Sequence, residues 1–521
     1  MQGILNQGLI PAKWAALTPD KMAVYDAPKD TRTSWRQLDS MVRRLANGLR
    51  ALGLQTGDRV AMLSRNCVEY QALYFAAGRA GLVTQPLNWR LSTQPLADIL
   101  NDAAPKAFIG EMEFAAVQAE LQNLVDIPNW LQFGDGSDGT LNDLIERSSD
   151  AEPSWADRVD EDDPFFLLYT GGTTGNSKGA MHTHRSAAYG MLNQTVAERI
   201  VPSDVYMLTG QMYHIPVVLS MNYLKHGCPL VLMNFAPKTA LELIEQEKVS
   251  AFLGVTTMLN WMMAEENFSS YDLSSLRNIQ YGGGPMPSNI VRKALDSFPC
   301  TLIQGYGQTE GTTMCFLSQE DHINAINGIH PERLQSCGRE GFITRVRVVD
   351  PGGNQVPMDG KTPGEIIVRS PANMTGYLNL PEVTKNTLRD GWMWTGDVAT
   401  MDSEGYVFIV DRAKDMIISG GENIYSIQVE DAIGSHPDVV ECAVIGVPDE
   451  EWGETVKGFV VLKKGSAATE TDIIEQAKTR LASYQKPRSI EFVTELPKAP
   501  TGKILKRELR KPYWENQDRN V

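Results

Sequence analysis

The stretch "NIQYGGGPMPSNIVRKALDSFPCTLIQGYG" at residues 278–307 decides the fold. A short β-rich run ends in three glycines, an amphipathic segment follows, and a second β-rich run closes on another glycine turn. A strand, a helix and a strand of these lengths form a parallel α/β unit, in which ligands gather beyond the carboxyl ends of the strands.

The same alternation extends outward from about residue 56 to residue 310. "RVAML" precedes "VEYQALYFAAGRAG", "CPLVLMN" precedes "KTALELIEQEK", and "SAFLGV" precedes "TTMLNWMMAEE". Three strands end in glycine-rich or polar turns, after Tyr169, Tyr281 and Gln304, and these turns can converge on one crevice. After about residue 335 the character changes. "FITRVRVVDPGGNQVP", "GEIIVRS" and "GYVFIVDR" read as short strands joined by Gly, Pro and Asp turns, a small β-barrel or sheet. A third section begins near Lys414, with helices over Ile427–Ser435 and Ile473–Ala482 and strands at "VECAVIGV", "KGFVVLKKG" and "SIEFV". The expected fold is therefore α/β: a large multi-sheet N-terminal domain with a small β-barrel-like section, then a small α+β C-terminal domain.

A chain of 521 residues is too long for one compact core, and 42 % hydrophobic with 21 % charged residues is ordinary globular composition. The net charge of −16 argues against nucleic acid and anionic membrane as partners. Basic residues nevertheless crowd the last part of the chain, from Lys478 to Lys511, as a solvated helix face or as a site for a small anion. The six cysteines form no CxxC pair and are too sparse for a disulfide framework, which suits a reducing cytoplasm. "MQGILNQGLIPAKWAAL" does not read as a secretory signal. The most apolar region, 213–233, is interrupted by Asn222, Lys225, His226 and Gly227, and reads as a buried helix, a turn and a strand with no integral membrane segment. His182 and His184 form an HxH pair without a third ligand, which favours structural or solvent-facing roles over a metal.

"LLYTGGTTGNSKGAMHTH" at 167–184 is the most chemically loaded loop. It departs from the Walker pattern, because Lys178 is followed by Gly179 where that motif needs Ser or Thr. Its glycines still let backbone N–H groups approach a phosphate, its threonines offer hydroxyls, and Lys178 supplies charge. Alone, it reads equally well as a flexible connection.

Four further segments follow in order: "YGQTEG" (306–311), "WTGD" (394–397), "VDRAKDMIISGGEN" (410–423) and "PKAPTGK" (497–503). With the loop, they resemble the adenylate-forming superfamily of acyl- and aryl-CoA synthetases, amino-acid adenylation domains and beetle luciferases, over nearly the whole chain. The resemblance implies that Thr170, Gly171, Gly172, Thr173, Thr174, Gly175 and Lys178 hold the β- and γ-phosphates of ATP. Gly171 stands where serine is common and Ser177 where proline is common, so a more mobile loop is expected. It further implies Thr309 and Glu310 as the catalytic Thr-Glu pair, with Glu310 a Mg²⁺ ligand. Gly282, Gly283 and Gly284 would lie along adenine with Tyr306 stacked on the base, and Asp397 and Arg412 would bind ribose. Lys503 matches the catalytic lysine, and His214 matches an aromatic-His segment bordering the acyl site. The implied organisation is an ATP- and acyl-binding domain over 1–411, a hinge over 412–414 that includes Lys414, and a mobile domain over 415–521. Gly420 and Gly421 would line a pantetheine tunnel for coenzyme A.

The implied chemistry is that of an AMP-forming acid–thiol ligase. A carboxylate attacks the α-phosphorus of ATP, pyrophosphate leaves, and a thiol then takes the acyl group from the adenylate. Cationic groups at the phosphoryl oxygens carry most of the catalysis, so no nucleophilic side chain or general base is needed. "QMYHIPVV" has no aspartate for a substrate ammonium, which disfavours amino acids. Tyr213, Val217, Val218, Met221, Val255 and Met286 suggest an apolar acyl pocket for a fatty or arylalkanoic acid. A cinnamate- or benzoate-type aryl-CoA ligase and an acyl-AMP ligase loading a carrier protein are the alternatives. Retention of Lys178, Glu310, Asp397, Arg412 and Lys503 disfavours a non-catalytic nucleotide-binding protein. The expected partners are the acid, ATP and coenzyme A, with room for a homodimer. The C-terminal "QDRNV" is no peroxisomal signal.

Overall fold

The computed structural model describes residues 5–136, 140–170, 177–284, 286–412, 415–420, 422–449, 451–498 and 504–514. Of these, the described residues of 5–170, 177–345 and 368–393 form one compact unit, and those of 346–367 and 394–514 form a second.

The first unit contains two large sheets. The nine-stranded sheet runs in the order Arg339–Glu340, Thr312–Leu317, Thr301–Gln308, Asn278–Gly282, Ala251–Leu253, Tyr206–Leu208, Leu230–Leu232, Met22–Asp26 and Thr31–Ser34. Its centre is parallel, and the expected unit at 278–307 forms as read: Asn278–Gly282 and Thr301–Gln308 pair in parallel around the helix Ser288–Ser297. That helix buries Val291 and Ala294 and exposes Arg292 and Lys293, the pattern of a helix lying on a sheet. The seven-stranded sheet runs Gly376–Tyr377, Lys178–Thr183, Pro164–Thr170, Val83–Pro86, Arg59–Leu63, Ala107–Glu111 and Asn129–Phe133.

The two sheets alter the expected convergence of turns. Pro164–Thr170 is antiparallel to Lys178–Thr183, so the loop after Tyr169 joins a hairpin and does not lead into a crossover helix. The strand at Thr301–Gln308 runs past Gln304 and turns at 309–311 into the antiparallel Thr312–Leu317. A single core of buried side chains from both sheets, including Met62, Phe166, Tyr206 and Leu230, packs with the helices Trp35–Ala51, Val68–Ala80 and Pro216–Lys225. The apolar region at 213–233 is the expected buried helix, a turn at Gly227 and a strand. Among the described residues no helix is long and apolar enough to cross a membrane.

The second unit holds most of the β-section expected after residue 335, in which Val407–Arg412 pairs antiparallel with Trp392–Met401. It also holds a five-stranded sheet in which Gly453–Leu462 lies between Ile417–Ser419 and Val439–Asp449 and takes Ser489–Phe492 in parallel. The helices Ser426–Gly434 and Glu470–Lys478 form near the expected places, and Ile417, Val429, Ile433, Val444 and Ile473 share a core. A third helix, Lys506–Trp514, lies in the basic segment that read as a solvated helix face or a site for a small anion.

Candidate active site

The hairpin that carries the glycine-rich loop closes on the register pair Thr170 and Lys178; Gly171, Gly172, Thr173, Thr174 and Gly175 lie outside the described residues. Beyond Lys178 the strand runs directly into the helix His184–Glu198. Thr183 caps that helix, its side chain accepting from the Ser186 N–H. Strand and helix together hold Lys178 and His182 on regular structure, which fixes them better than a loop would.

His182 is fully buried, stacks on Phe166 at 4.9 Å between centroids, and places Nε2 2.7 Å from the Thr309 carbonyl oxygen. A carbonyl only accepts, so Nε2 carries the proton, while Nδ1 faces Ser186 Oγ at 3.1 Å. Burial lowers its pKa to about 4, so the ring is neutral at physiological pH. His182, expected to be structural or solvent-facing, is thus structural, and it joins the glycine-loop hairpin to the Thr309–Glu310 turn.

Thr309 and Glu310 are both buried. The Glu310 carbonyl accepts from Met374 N–H at 2.7 Å, and its carboxylate Oε1 accepts from the Tyr377 hydroxyl at 2.6 Å. Burial and the neighbouring carboxylate both raise the Tyr377 pKa, so the phenol is a permanent donor. The Tyr377 ring also lies under the Lys178 ammonium, 5.0 Å from Nζ. "MTGYLNLPE" at 374–382 had carried no expectation, because a tyrosine 67 residues from Glu310 shows nothing in sequence of what it meets.

No group of three metal-ligating side chains occurs among the described residues. A single buried carboxylate with one oxygen already accepting a neutral hydroxyl is the donor set for a Mg²⁺ whose other ligands are substrate phosphates and water, so the site fits that ion.

The glycine turn after Tyr281 is shaped by close approach. A Cβ on Gly282 would lie 2.2 Å from the Gly305 carbonyl oxygen of the paired strand, Gly283 has φ +76°, and no neighbour lies within 4 Å of a Cβ placed on Gly283 or Gly284. Tyr281 donates to His322 Nε2 at 2.8 Å, and burial holds that histidine neutral with a pKa of about 4. Tyr306 is partly buried opposite Cys315.

The segment around Tyr213, expected to border an acyl site, is anchored from the first half of the unit. Asn66 accepts from Met212 N–H at 2.9 Å and donates to the Gly210 carbonyl at 2.7 Å, and the Tyr74 hydroxyl donates to the Met212 carbonyl at 3.0 Å. Tyr213 meets Trp89 edge-on at 6.4 Å, and Trp89 donates to Gln211 Oε1 at 3.1 Å, a contact that the sequence had not suggested. His214 is partly buried, and burial lowers its pKa. Val217, Val218 and Met221 lie within the main core, Met286 is buried, and Val255 precedes the helix Thr256–Met263.

In the second unit Asp397 is buried in register with Arg412, and its N–H donates to Thr395 Oγ1 at 3.1 Å. Asp411 accepts from both the N–H and the hydroxyl of Ser426, at 2.5 and 3.0 Å. Lys506 reaches Ser426 Oγ and Glu430 Oε1, each at 2.6 Å. Gly420 has φ +60° and packs so closely that a Cβ would lie 2.6 Å from the Trp452 ring. Lys414, Gly421 and Lys503 lie outside the described residues. In the basic segment, Lys498, Lys506 and Arg510 are ion-paired to Glu441, Glu430 and Asp415, which reduces the charge left for an anion there.

The model of the AMP-binding enzyme family matches residues 11–378, and that of the AMP-binding enzyme C-terminal domain matches residues 428–503. The chain is 38 % identical over 515 residues to feruloyl-CoA synthase of Amycolatopsis sp, covering 98 % of this chain and 99 % of that protein. It is 34 % identical over 513 residues to the long-chain-fatty-acid–CoA ligase FadD13 of Mycobacterium tuberculosis (strain ATCC 25618 / H37Rv), covering 98 % of both. The structure of ATP-bound MatB from Rhodopseudomonas palustris superimposes with a TM-score of 0.86 at 30 % identity, covering 98 % of this chain and 99 % of that one. The chain belongs to the AMP-binding enzymes, in the acyl-CoA synthetase family of the adenylate-forming superfamily.

Proposed function

We propose that the protein is an ATP-dependent acyl-CoA synthetase acting on a fatty or arylalkanoic acid. The observation that carries this reading is the joining of Lys178, Thr309 and Glu310 through His182 and Tyr377. One tyrosine touching both an ammonium and a carboxylate supports a phosphate-binding role for Lys178 and a metal-binding role for Glu310. In the first half-reaction a carboxylate oxygen of the acid bonds to the α-phosphorus, the bond to the bridging oxygen breaks, and pyrophosphate leaves. Thr170–Gly175 and Lys178 hold the β- and γ-phosphates, Gly282–Gly284 and Tyr306 hold adenine, and Asp397 and Arg412 hold the ribose. Glu310 holds Mg²⁺, which supplies positive charge to the phosphate oxygens. Lys503 stabilises the charge that develops at the α-phosphate.

In the second half-reaction the sulfur of coenzyme A bonds to the acyl carbon and AMP leaves. Residues 415–521 turn about a hinge at 412–414, with Lys414 absorbing the backbone change and Gly420 and Gly421 beside the pantetheine arm. Tyr213, His214, Val217, Val218, Met221, Val255 and Met286 form the acyl site. A hydroxycinnamate-type acid is the second reading, favoured by the aromatic edge of Trp89 against Tyr213. Six free cysteines favour a cytoplasmic enzyme. The exposed Phe342 and Val196 favour a homodimer, which sedimentation tests.

The test is AMP release from Mg-ATP across short, medium, long-chain and aromatic acids, with and without coenzyme A. AMP formation dependent on both coenzyme A and one acid class supports the ligase and names its acid. Pyrophosphate exchange that coenzyme A does not affect points to a carrier-protein acceptor, and no turnover with any acid overturns the reading.

A further inference from the structure

The segment 374–378 is a strap tied to both halves of the phosphate-and-metal site. Met374 N–H donates to the Glu310 carbonyl at 2.7 Å, Thr375 N–H to the Met181 carbonyl at 2.9 Å, and Leu378 N–H to the Gly179 carbonyl at 2.8 Å. Tyr377 is in register with Ala180, and its N–H donates to Thr384 Oγ1 at 2.8 Å. The strap therefore fixes the Tyr377 side chain where its hydroxyl meets Glu310 Oε1 at 2.6 Å and its ring faces Lys178 Nζ at 5.0 Å.

We propose that Tyr377 is a positioning residue that sets Glu310 for the metal and Lys178 for the phosphates with one side chain. The proposal rests on the reading of those two residues given above. Glu310 is 8 % exposed and has lost most of its water. A neutral hydroxyl satisfies one of its oxygens without cancelling its charge, leaving the second oxygen and the full anion for a cation. A lysine or arginine at the same place would neutralise it. On the other side, an aromatic face attracts an ammonium more weakly than a carboxylate does, so Lys178 is oriented and still surrendered to a phosphate. Without the ring, Lys178 and Glu310 are opposite charges free to pair with each other, and each would then be lost to the ligand.

The test uses the full-length protein with α,β-methylene-ATP, which cannot be cleaved at the α–β bond, and Mn²⁺ in place of Mg²⁺. Free Mn²⁺ is read by electron paramagnetic resonance, metal-free nucleotide binding by calorimetry, and folding by thermal melting. Glu310→Gln serves as the reference. Tyr377→Phe keeps the ring and is expected to weaken Mn²⁺ binding by about tenfold or more, while metal-free nucleotide affinity stays within about twofold. Tyr377→Leu, which loses the ring as well, is expected to weaken the metal-free nucleotide by about threefold or more. If Glu310→Gln loses Mn²⁺ and Tyr377→Phe does not, Tyr377 has no positioning role and the metal reading stands. A lower melting temperature for Tyr377→Phe with unchanged Mn²⁺ affinity marks a purely structural residue and also overturns the proposal. If Glu310→Gln itself binds Mn²⁺ normally, the metal reading falls, and the proposal for Tyr377 falls with it.

Discussion

The His182 imidazole donates from Nε2 to the Thr309 carbonyl across 2.7 Å, joining two residues 127 positions apart and two different sheets of one unit. Replacing His182 by Ala leaves that buried carbonyl without its donor and opens a cavity beside Phe166. ATP–pyrophosphate exchange is expected to fall about tenfold or more in His182→Ala, and His182→Gln, which restores an N–H donor, is expected to recover part of it.

Lys503→Ala is expected to lower acid-dependent pyrophosphate exchange by about a hundredfold or more, the scale for losing one charge-stabilising contact. Thioester formation from supplied acyl-adenylate is expected to survive if, as proposed above, residues 415–521 turn between the two half-reactions. Equal loss in both assays would rule out the turning of residues 415–521 about the hinge.

Glu198 is buried, its Oε2 accepting from the Tyr223 hydroxyl at 2.8 Å and from Gln280 Nε2. Burial raises its pKa from 4.5 to about 8. The folded state thus holds a proton that the unfolded state releases near pH 4.5, so this contribution is fully present below pH 4.5 and is lost as pH rises through 8. Glu198→Gln keeps the shape and cannot ionise. Denaturant titrations at pH 6 and pH 9 should show a smaller alkaline loss of stability in the variant than in the parent.

Arg79 has no exposed surface and is held by Asp39 at 2.7 Å and Glu152 at 2.6 Å. Arg79→Ala strands the buried Asp39 carboxylate, of which Arg43 is then the remaining cation. The expected loss is about 3–5 kcal/mol, read from chemical denaturation at pH 7.

Gly282→Ala forces a methyl group into the Gly305 carbonyl, and both atoms in conflict belong to paired strands that cannot rotate away. A shift of the turn is expected, costing about 1–3 kcal/mol in stability together with weaker ATP binding. Calorimetric titration with ATP and a thermal melt check both parts.

The elements read from 278–307 formed where expected because their pattern is local: a β-rich run, a helix with one apolar face, and glycines at each turn. The basic segment read as a solvated helix face, but the bounds Lys506–Trp514 and its ion pairs were not legible, because its charged residues mask any apolar stripe and its partners Glu430 and Asp415 lie elsewhere in the chain. Trp89, Asn66 and Tyr74 belong to the surroundings of Tyr213, yet each is separated from it by more than a hundred residues, a distance that no period or cap spans.

By itself the sequence determined the α/β class, the order of the elements and the membership of the AMP-binding enzymes, since glycine, charge and alternation act over a few residues. Only the tertiary structure decided that the glycine loop closes a hairpin in a second sheet, and that His182 and Tyr377 connect it to Thr309 and Glu310. Those links are hydrogen bonds between buried groups far apart in the chain. They exist because burial removes water as a partner and leaves each polar atom to find another within the fold.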